Sequence, residues 1–255
     1  MADIKTDDYT GALLGVLGGM GPLAAATFAT RLVALTPAAV DQDHLPAVIW
    51  NDPRVPDRSK ARLEGGENPL PAMIRGVRML ERAGVNVIAI PCNTAHFWFD
   101  DIVAVTSVPV LHIVDSAAAE IRRMGFGPGA KVGLMGTPAT LRLRLYEDRL
   151  QALGSNVIPA AGELVKKCET AINLVKGGRV EAAWAPALEC IEALAGQGVE
   201  LVVLGCTELP LALPHERRRG LPVAVTDSID ALAKSAIEWI TNDNRHRRAK
   251  HLAGR

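Results

Sequence analysis

The chain has 255 residues, 49% of them apolar, enough for one large or two small hydrophobic cores without disulfide or metal staples. Its 28 Lys and Arg balance 28 Asp and Glu, which excludes a strongly basic nucleic-acid or membrane-surface protein but leaves room for a small anion held by a few local cations. The four cysteines, Cys92, Cys168, Cys190 and Cys206, form no CxxC pair, so neither a zinc site nor a disulfide framework is expected. The opening MADIKTDDYTGALL carries acids where a secretory signal needs basic residues, and no apolar run approaches the ~18 residues of a membrane span. The expectation is a soluble cytoplasmic protein with reduced thiols and no nucleic-acid or membrane partner.

In chain order, LLGVLGG (13–19) reads as a buried strand entering a glycine turn, followed by the helical pattern LAAATFATRLVAL. AVIWN (47–51) reads as a second strand. A Pro/Asp/Arg loop follows, bearing Arg54 and Arg58, and then a polar stretch at 60–71, either a lid or an ordinary surface excursion. LPAMIRGVRMLERAG is helical and ends in Gly, and VNVIAIP (85–91) is the next strand. VPVLHIV (108–114) reads as a strand, DSAAAEIRRMG as a helix, KVGLMG (131–136) as a strand and TLRLRLYEDRLQALG as one helix. NVIP (156–159) is a strand, and Lys176 before Gly177 and Gly178 marks a helix C-terminus. The helix APALECIEALAGQG, the strands ELVVLG (200–205) and LPVAVT (221–226) and the helix DSIDALAKSAIEWI complete the series; the basic RHRRAKHLAGR (245–255) reads as a solvated tail. Continuous apolar strands alternating with helices imply an α/β fold with parallel sheet covered on both faces.

Three motifs recur in the same order. GALLGVLGGMGP (11–22) matches GAKVGLMGTPAT (129–140), LERAGVNVIAIPCNT (80–94) matches LAGQGVELVVLGCTE (194–208), and VPVLHIVDS (108–116) matches LPVAVTDS (221–228). The offsets are nearly constant, which implies two homologous lobes, each a small parallel sheet flanked by helices, related by a pseudo-twofold axis. Ligands of open parallel sheets bind beyond the carboxyl ends of the strands. Met20, Cys92, Thr137 and Cys206 all lie just past strand ends, so one cleft between the lobes is the expected site.

The repeat places Cys92 of PCNTAH against Cys206 of GCTELP. A lone cysteine after an apolar strand is ordinarily core; two at equivalent repeat positions with Thr close behind are not easily explained that way. A thiol at a helix N-terminus is expected to ionise below its reference ~8.5. One thiolate and one thiol on opposite faces of a carbon form a two-base inverter, the arrangement that racemisation or epimerisation needs. Backbone N–H groups and hydroxyls around Asn93, Thr94 and Thr207 would stabilise the developing enolate. His96 is a possible tuner of the first thiol or a local hydrogen-bonding group, and Glu208 either orients Thr207 or is simply a first-turn acid. Cys168 and Cys190, in helical patterns, are expected to be structural.

GVLGGMGPLAAATF, NDPRVPDR, PCNTAH, GCTELP and the Lys176-Gly-Gly turn together resemble the aspartate/glutamate racemase superfamily, and its aspartate racemase branch above the others, over residues ~13 to ~230. The resemblance implies a catalytic pair, Cys92 and Cys206. It implies that Asn93, Thr94 and Thr207 bind the α-carboxylate or amino group, with Thr137 lining the site, and that Arg58 and Lys176 grip a side-chain carboxylate; Met20, in the glycine turn, is expected to touch the substrate through its backbone. It further implies a small acidic amino acid as substrate, a homodimer, and neither pyridoxal phosphate nor metal. The lobes would exchange their last segments, the first being 1–108 completed by 220–255 and the second 109–219. Two rivals share the residues: a single-cysteine isomerase or decarboxylase of a diacid, which retention of both cysteines disfavours, and a dicarboxylate-binding module, which has no use for paired thiols.

Overall fold

A computed structural model describes residues 11–152 and 154–253, with side chains up to 244; the opening MADIKTDDYT and the side chains of the basic 245–255 stretch lie outside the described residues. The first half runs β1 (Leu14–Leu17), α1 (Pro22–Leu35), β2 (Ala47–Trp50), α2 (Arg58–Leu63), α3 (Leu70–Arg82), β3 (Val87–Ala89), α4 (Phe99–Val103), β4 (Val110–Leu111) and α5 (Ile113–Arg123). The second runs β5 (Lys131–Gly136), α6 (Pro138–Arg142), α7 (Glu147–Gln151), β6 (Asn156–Pro159), α8 (Glu163–Lys176), α9 (Trp184–Gly196), β7 (Leu201–Gly205), α10 (Leu209–Ala212), β8 (Ala224–Asp227) and α11 (Ser228–Ala253).

The strands form two four-stranded sheets, ordered β2-β1-β3-β4 and β6-β5-β7-β8, and every pairing is parallel. The two orders are the same order shifted by one repeat, as the sequence motifs anticipate. The central strands β1, β3 and β7 are buried throughout, the condition that favours unbroken apolar runs such as LVVLG. Helices cover the sheets with one apolar stripe each; α3 buries Met73, Gly76, Val77 and Leu80, spaced to fall on one face.

The last helix of each half crosses to the other half. α5 follows β4 of the first sheet but packs on α11, α7 and β8; α11 follows β8 of the second sheet but packs on α1, β3 and β4. Strand β4 itself pairs in the first sheet and β8 in the second. The helix crossing is secured by Arg31 of α1, which grips Asp230 of α11 bidentately at 2.6 and 2.8 Å. Among the described residues no helix is long and apolar enough to cross a membrane.

Three local expectations change. The stretch TLRLRLYEDRLQALG is two short helices, α6 and α7, broken at Arg144 with φ 55°. Leu141, Leu143 and Leu145 alternate with period two, and one helix would scatter them around its circumference; the break lets Leu141 and Tyr146 both reach the core. In VPVLHIV only Val110–Leu111 pairs as strand, because the His112 ring accepts the Val114 N–H and starts α5 two residues earlier than expected. The polar 60–71 stretch begins inside α2, whose first turn is capped by Asp57 accepting the Lys60 N–H; Arg62 of α2 lies over the Trp98 ring, 4.6 Å from its centroid.

Candidate active site

Met20 lies in the turn after β1, Arg58 opens α2, and Cys92, Asn93 and Thr94 follow β3. Thr137 follows β5, Lys176 closes α8, and Cys206, Thr207 and Glu208 follow β7. All ten line one cavity of about 270 Å³, joined by Asp57 and Ser59. They come from both halves of the chain, and they meet because each stands at the carboxyl end of a strand or at the end of a helix beside it. Gly19 makes the first turn possible: its φ is +90°, and a Cβ there would sit 2.0 Å from the Asp52 carbonyl oxygen.

Cys92 and Cys206 are each 4% exposed. The Cys206 thiol donates to Glu208 Oε2 at 3.0 Å, and the Thr207 hydroxyl donates to the same oxygen at 3.4 Å. Burial pushes the Cys206 thiol well above its ordinary value and the Glu208 carboxylate adds to the push, while Lys176 pulls the other way. The expectation of a readily ionised thiol is therefore corrected for Cys206. The physical reason is visible in the elements: α10 has only four residues and Cys92 is followed by a 3₁₀ turn, Thr94–Trp98, so neither cysteine opens a long helix with a strong dipole.

Arg58 sends Nη1 to the carbonyls of Val55 and Pro56, at 3.1 and 2.9 Å, which fixes the guanidinium at the cavity wall; its buried Nε has no protein partner. Lys176 is exposed at the rim. Asp57 is partly desolvated, which alone would raise its pKa; the Lys60 amide, Lys176 and Arg58 outweigh that and hold the carboxyl below its ordinary range. The cavity thus carries two cations and two carboxylates. It continues into a groove of about 860 Å³ that shares Asp57, Arg58, Lys176 and Glu208 and has apolar walls at Leu23, Val55 and Val175. Arg54 points elsewhere, forked onto Asp52 on the surface.

His96 does not line the cavity. Its Nε2 accepts the Ile113 N–H at 3.1 Å, which fixes the proton on Nδ1, 2.9 Å from the Cys92 carbonyl oxygen. It therefore holds the backbone of Cys92, not its sulfur, and burial pushes its pKa down to about 4. The Thr137 hydroxyl caps α6 by accepting the Thr140 N–H. Asn93 turns its amide away from open space: Tyr146 donates to Oδ1 at 2.5 Å and Nδ2 donates to Ser228 Oγ at 2.8 Å. Cys168 of α8 and Cys190 of α9 are fully buried with sulfurs 3.7 Å apart, away from the cavity.

Sequence reasoning missed Asp57, Ser59, Tyr146 and Ser228. Asp57 had a signal, since Asp is a preferred cap and stands just ahead of a helical run. Ser228 ends the third repeated motif. Tyr146 carried no local signal, because its partner is 53 residues away.

Residues 17–236 match the Asp/Glu/Hydantoin racemase family. The broad specificity amino-acid racemase RacX of Bacillus subtilis (strain 168) is 29% identical over 235 residues, covering 88% of this chain and 96% of that one. Among solved structures, Picrophilus torridus aspartate racemase superposes with a TM-score of 0.77 at 31% identity, covering 92% of this chain and 98% of that one. An aspartate racemase homologue from Pyrococcus horikoshii OT3 gives 0.71 at 26% identity, covering 89% and 98%. With two parallel sheets of one order, a shared cleft and these likenesses, the chain belongs to the Asp/Glu/Hydantoin racemase family and is an amino-acid racemase.

Proposed function

We propose that the chain interconverts the enantiomers of an acidic amino acid, aspartate first, with Cys92 and Cys206 exchanging the α-proton from opposite faces and no cofactor taking part. The observation that carries this reading is that both thiols and both basic residues, Arg58 and Lys176, line one small cavity. Arg58 and Lys176 hold the distal carboxylate, Arg58 by a fork already oriented by two backbone carbonyls. Thr94, Thr207 and the backbone around Met20, Asn93 and Thr137 face the α-carboxylate and amino group. In the free site Cys206 is the proton donor, its S–H held towards Glu208, so the enantiomer whose α-hydrogen faces Cys92 is the one the resting site deprotonates. As Cys92 takes that proton, Cys206 delivers its own to the other face and becomes the thiolate, ready for the reverse turnover. The proposal includes a cytoplasmic homodimer, as the family resemblance implies.

Cys92→Ser and Cys206→Ser should each lower racemisation of aspartate by a factor of ~10³ or more, the scale expected on removing an acid/base group together with its partner's function. Chiral separation of the product reads this directly, and full two-way activity in either variant would refute the two-thiol assignment. A second reading, a broader amino-acid scope, is favoured by the groove beyond Arg58 and Lys176 and by the likeness to a broad specificity racemase. Turnover of a panel of D- and L-amino acids decides between them: aspartate and glutamate alone for the first reading, neutral side chains as well for the second.

A further inference from the structure

Behind the cavity a closed chain of hydrogen bonds joins the two halves of the molecule. Ser228, the first residue of α11, donates its hydroxyl to the Leu204 carbonyl of β7 at 3.2 Å. Having one proton, it can only accept from Asn93 Nδ2, 2.8 Å away, and the amide is thereby oriented with Oδ1 towards the Tyr146 hydroxyl at 2.5 Å. Each of the three side chains donates to the next acceptor in the chain, and the members are buried: Tyr146 and Ser228 are 0% exposed and Asn93 is 2%. Asn93 is bonded directly to Cys92, and Leu204 stands two residues before Cys206. The chain therefore spans from the turn bearing one thiol to the strand that leads into the other. Burial keeps the Tyr146 hydroxyl protonated. Among the described residues no such strut is found on the other side of the pseudo-twofold axis: Thr207, at the repeat position of Asn93, turns its hydroxyl to Glu208, and Ser116, at the position of Ser228, donates to the His112 carbonyl of its own helix start.

We propose that Tyr146 and Ser228 are positioning residues for racemisation: they clamp the Asn93 amide across the boundary between the halves and so fix where the Cys92 sulfur stands relative to Cys206. The inference rests on the reading of the two thiols as the acid/base pair. A fold-stabilising bond would not by itself need to join this turn to this strand. A two-thiol inversion does, because both sulfurs must hold their places about one α-carbon at once, and displacements of about an ångström at a reacting group are felt as large losses in rate. Neither Tyr146 nor Ser228 lines the cavity, so substrate affinity should not depend on them.

The test uses Tyr146→Phe and Ser228→Ala, which remove only a hydroxyl each and touch opposite ends of the same amide, so either variant alone suffices if the other fails to fold. Both are assayed in both directions, well below their melting temperatures. We expect kcat to fall about tenfold or more with KM within about twofold of the parent. The double variant should be little worse than the poorer single one, because both changes release the same clamp. A kcat within about twofold of the parent in the variants that fold, a fall that only tracks the folded fraction, or losses that multiply in the double variant would overturn the proposal. Cys92→Ser and Cys206→Ser measured alongside separate the two levels: full activity there removes the two-thiol reading and the clamp with it, whereas loss there with a normal kcat in Tyr146→Phe and Ser228→Ala removes the clamp alone.

Discussion

Cys206 stands just past β7, and its proton is held in place by burial and by the carboxylate of Glu208 at 3.0 Å. Glutamate is the informative neighbour, because a like charge disfavours the ionised thiol. Glu208→Gln removes that charge, so Cys206 should ionise at lower pH than in the parent. A titration of thiolate absorbance in a Cys92→Ser background reads the shift, and an unchanged or higher midpoint would contradict it. The residues gathered at the cavity were legible because each is punctuation: Gly19-Met20 ends a strand, Arg58 opens a helix, Lys176 precedes two glycines, and the thiols follow apolar runs. The protonation state was not legible. It depends on how deeply a sulfur is covered and on a carboxylate two residues on, and both are properties of the folded chain. Asn93 shows the same limit: nothing local foretold that its amide is held by Tyr146 and Ser228, residues far from it along the chain.

At the scale of an element, the start of α5 is built from two neutral histidines. His112 caps it by accepting the Val114 N–H, and His96 accepts the Ile113 N–H from the neighbouring turn while tying down the Cys92 carbonyl. Burial holds His96 at about 4 and His112 at about 2, both below their ordinary 6.5. The sign follows from proton uptake: below pH 6.5 the unfolded chain binds protons that the folded chain refuses, so stability is intact above 6.5 and is lost as pH falls, the His96 share being lost by about pH 4. His96→Phe should cost about 1–3 kcal/mol at neutral pH through the two orphaned backbone groups. Its melting temperature should then vary less between pH 6.5 and 4 than the parent's; an equal slope would show that His96 does not carry this acid sensitivity. The strand assigned to VPVLHIV failed at this point because a histidine side chain can stand in for the missing helical carbonyl, a substitution that hydrophobic periodicity does not register. The split of TLRLRLY was visible in principle, since its leucines alternate with the period of a strand and not of a helix.

For the molecule as a whole, the repeat foretold two equivalent sheets, and their identical strand orders follow from it. The crossing of α5 and α11 came from family resemblance and from no residue pattern, because a helix that packs on its own sheet and one that packs on its neighbour's carry the same apolar stripe. The crossing has a mechanical result. Phe28 and Leu32 of α1 share one continuous core with Ile113, Ile121 and Val202, so neither half buries its own surface alone. Thermal unfolding should show a single transition by circular dichroism and tryptophan fluorescence together, and a chain ending at Asp227, without α11, should not fold; two separate transitions would mean the halves are independent. The two halves are alike in plan but not in chemistry, since among the described residues Cys206 has a carboxylate at its proton and Cys92 has none hydrogen-bonded to it. Enantiomers have equal free energy in an achiral solvent, so the equilibrium constant is one and kcat/KM must be equal in the two directions. Glu208 can therefore never bias the enzyme towards one hand. What it can set is how that common ratio divides between turnover and saturation, so that the two enantiomers, processed with equal efficiency when scarce, are handled at different speeds when abundant.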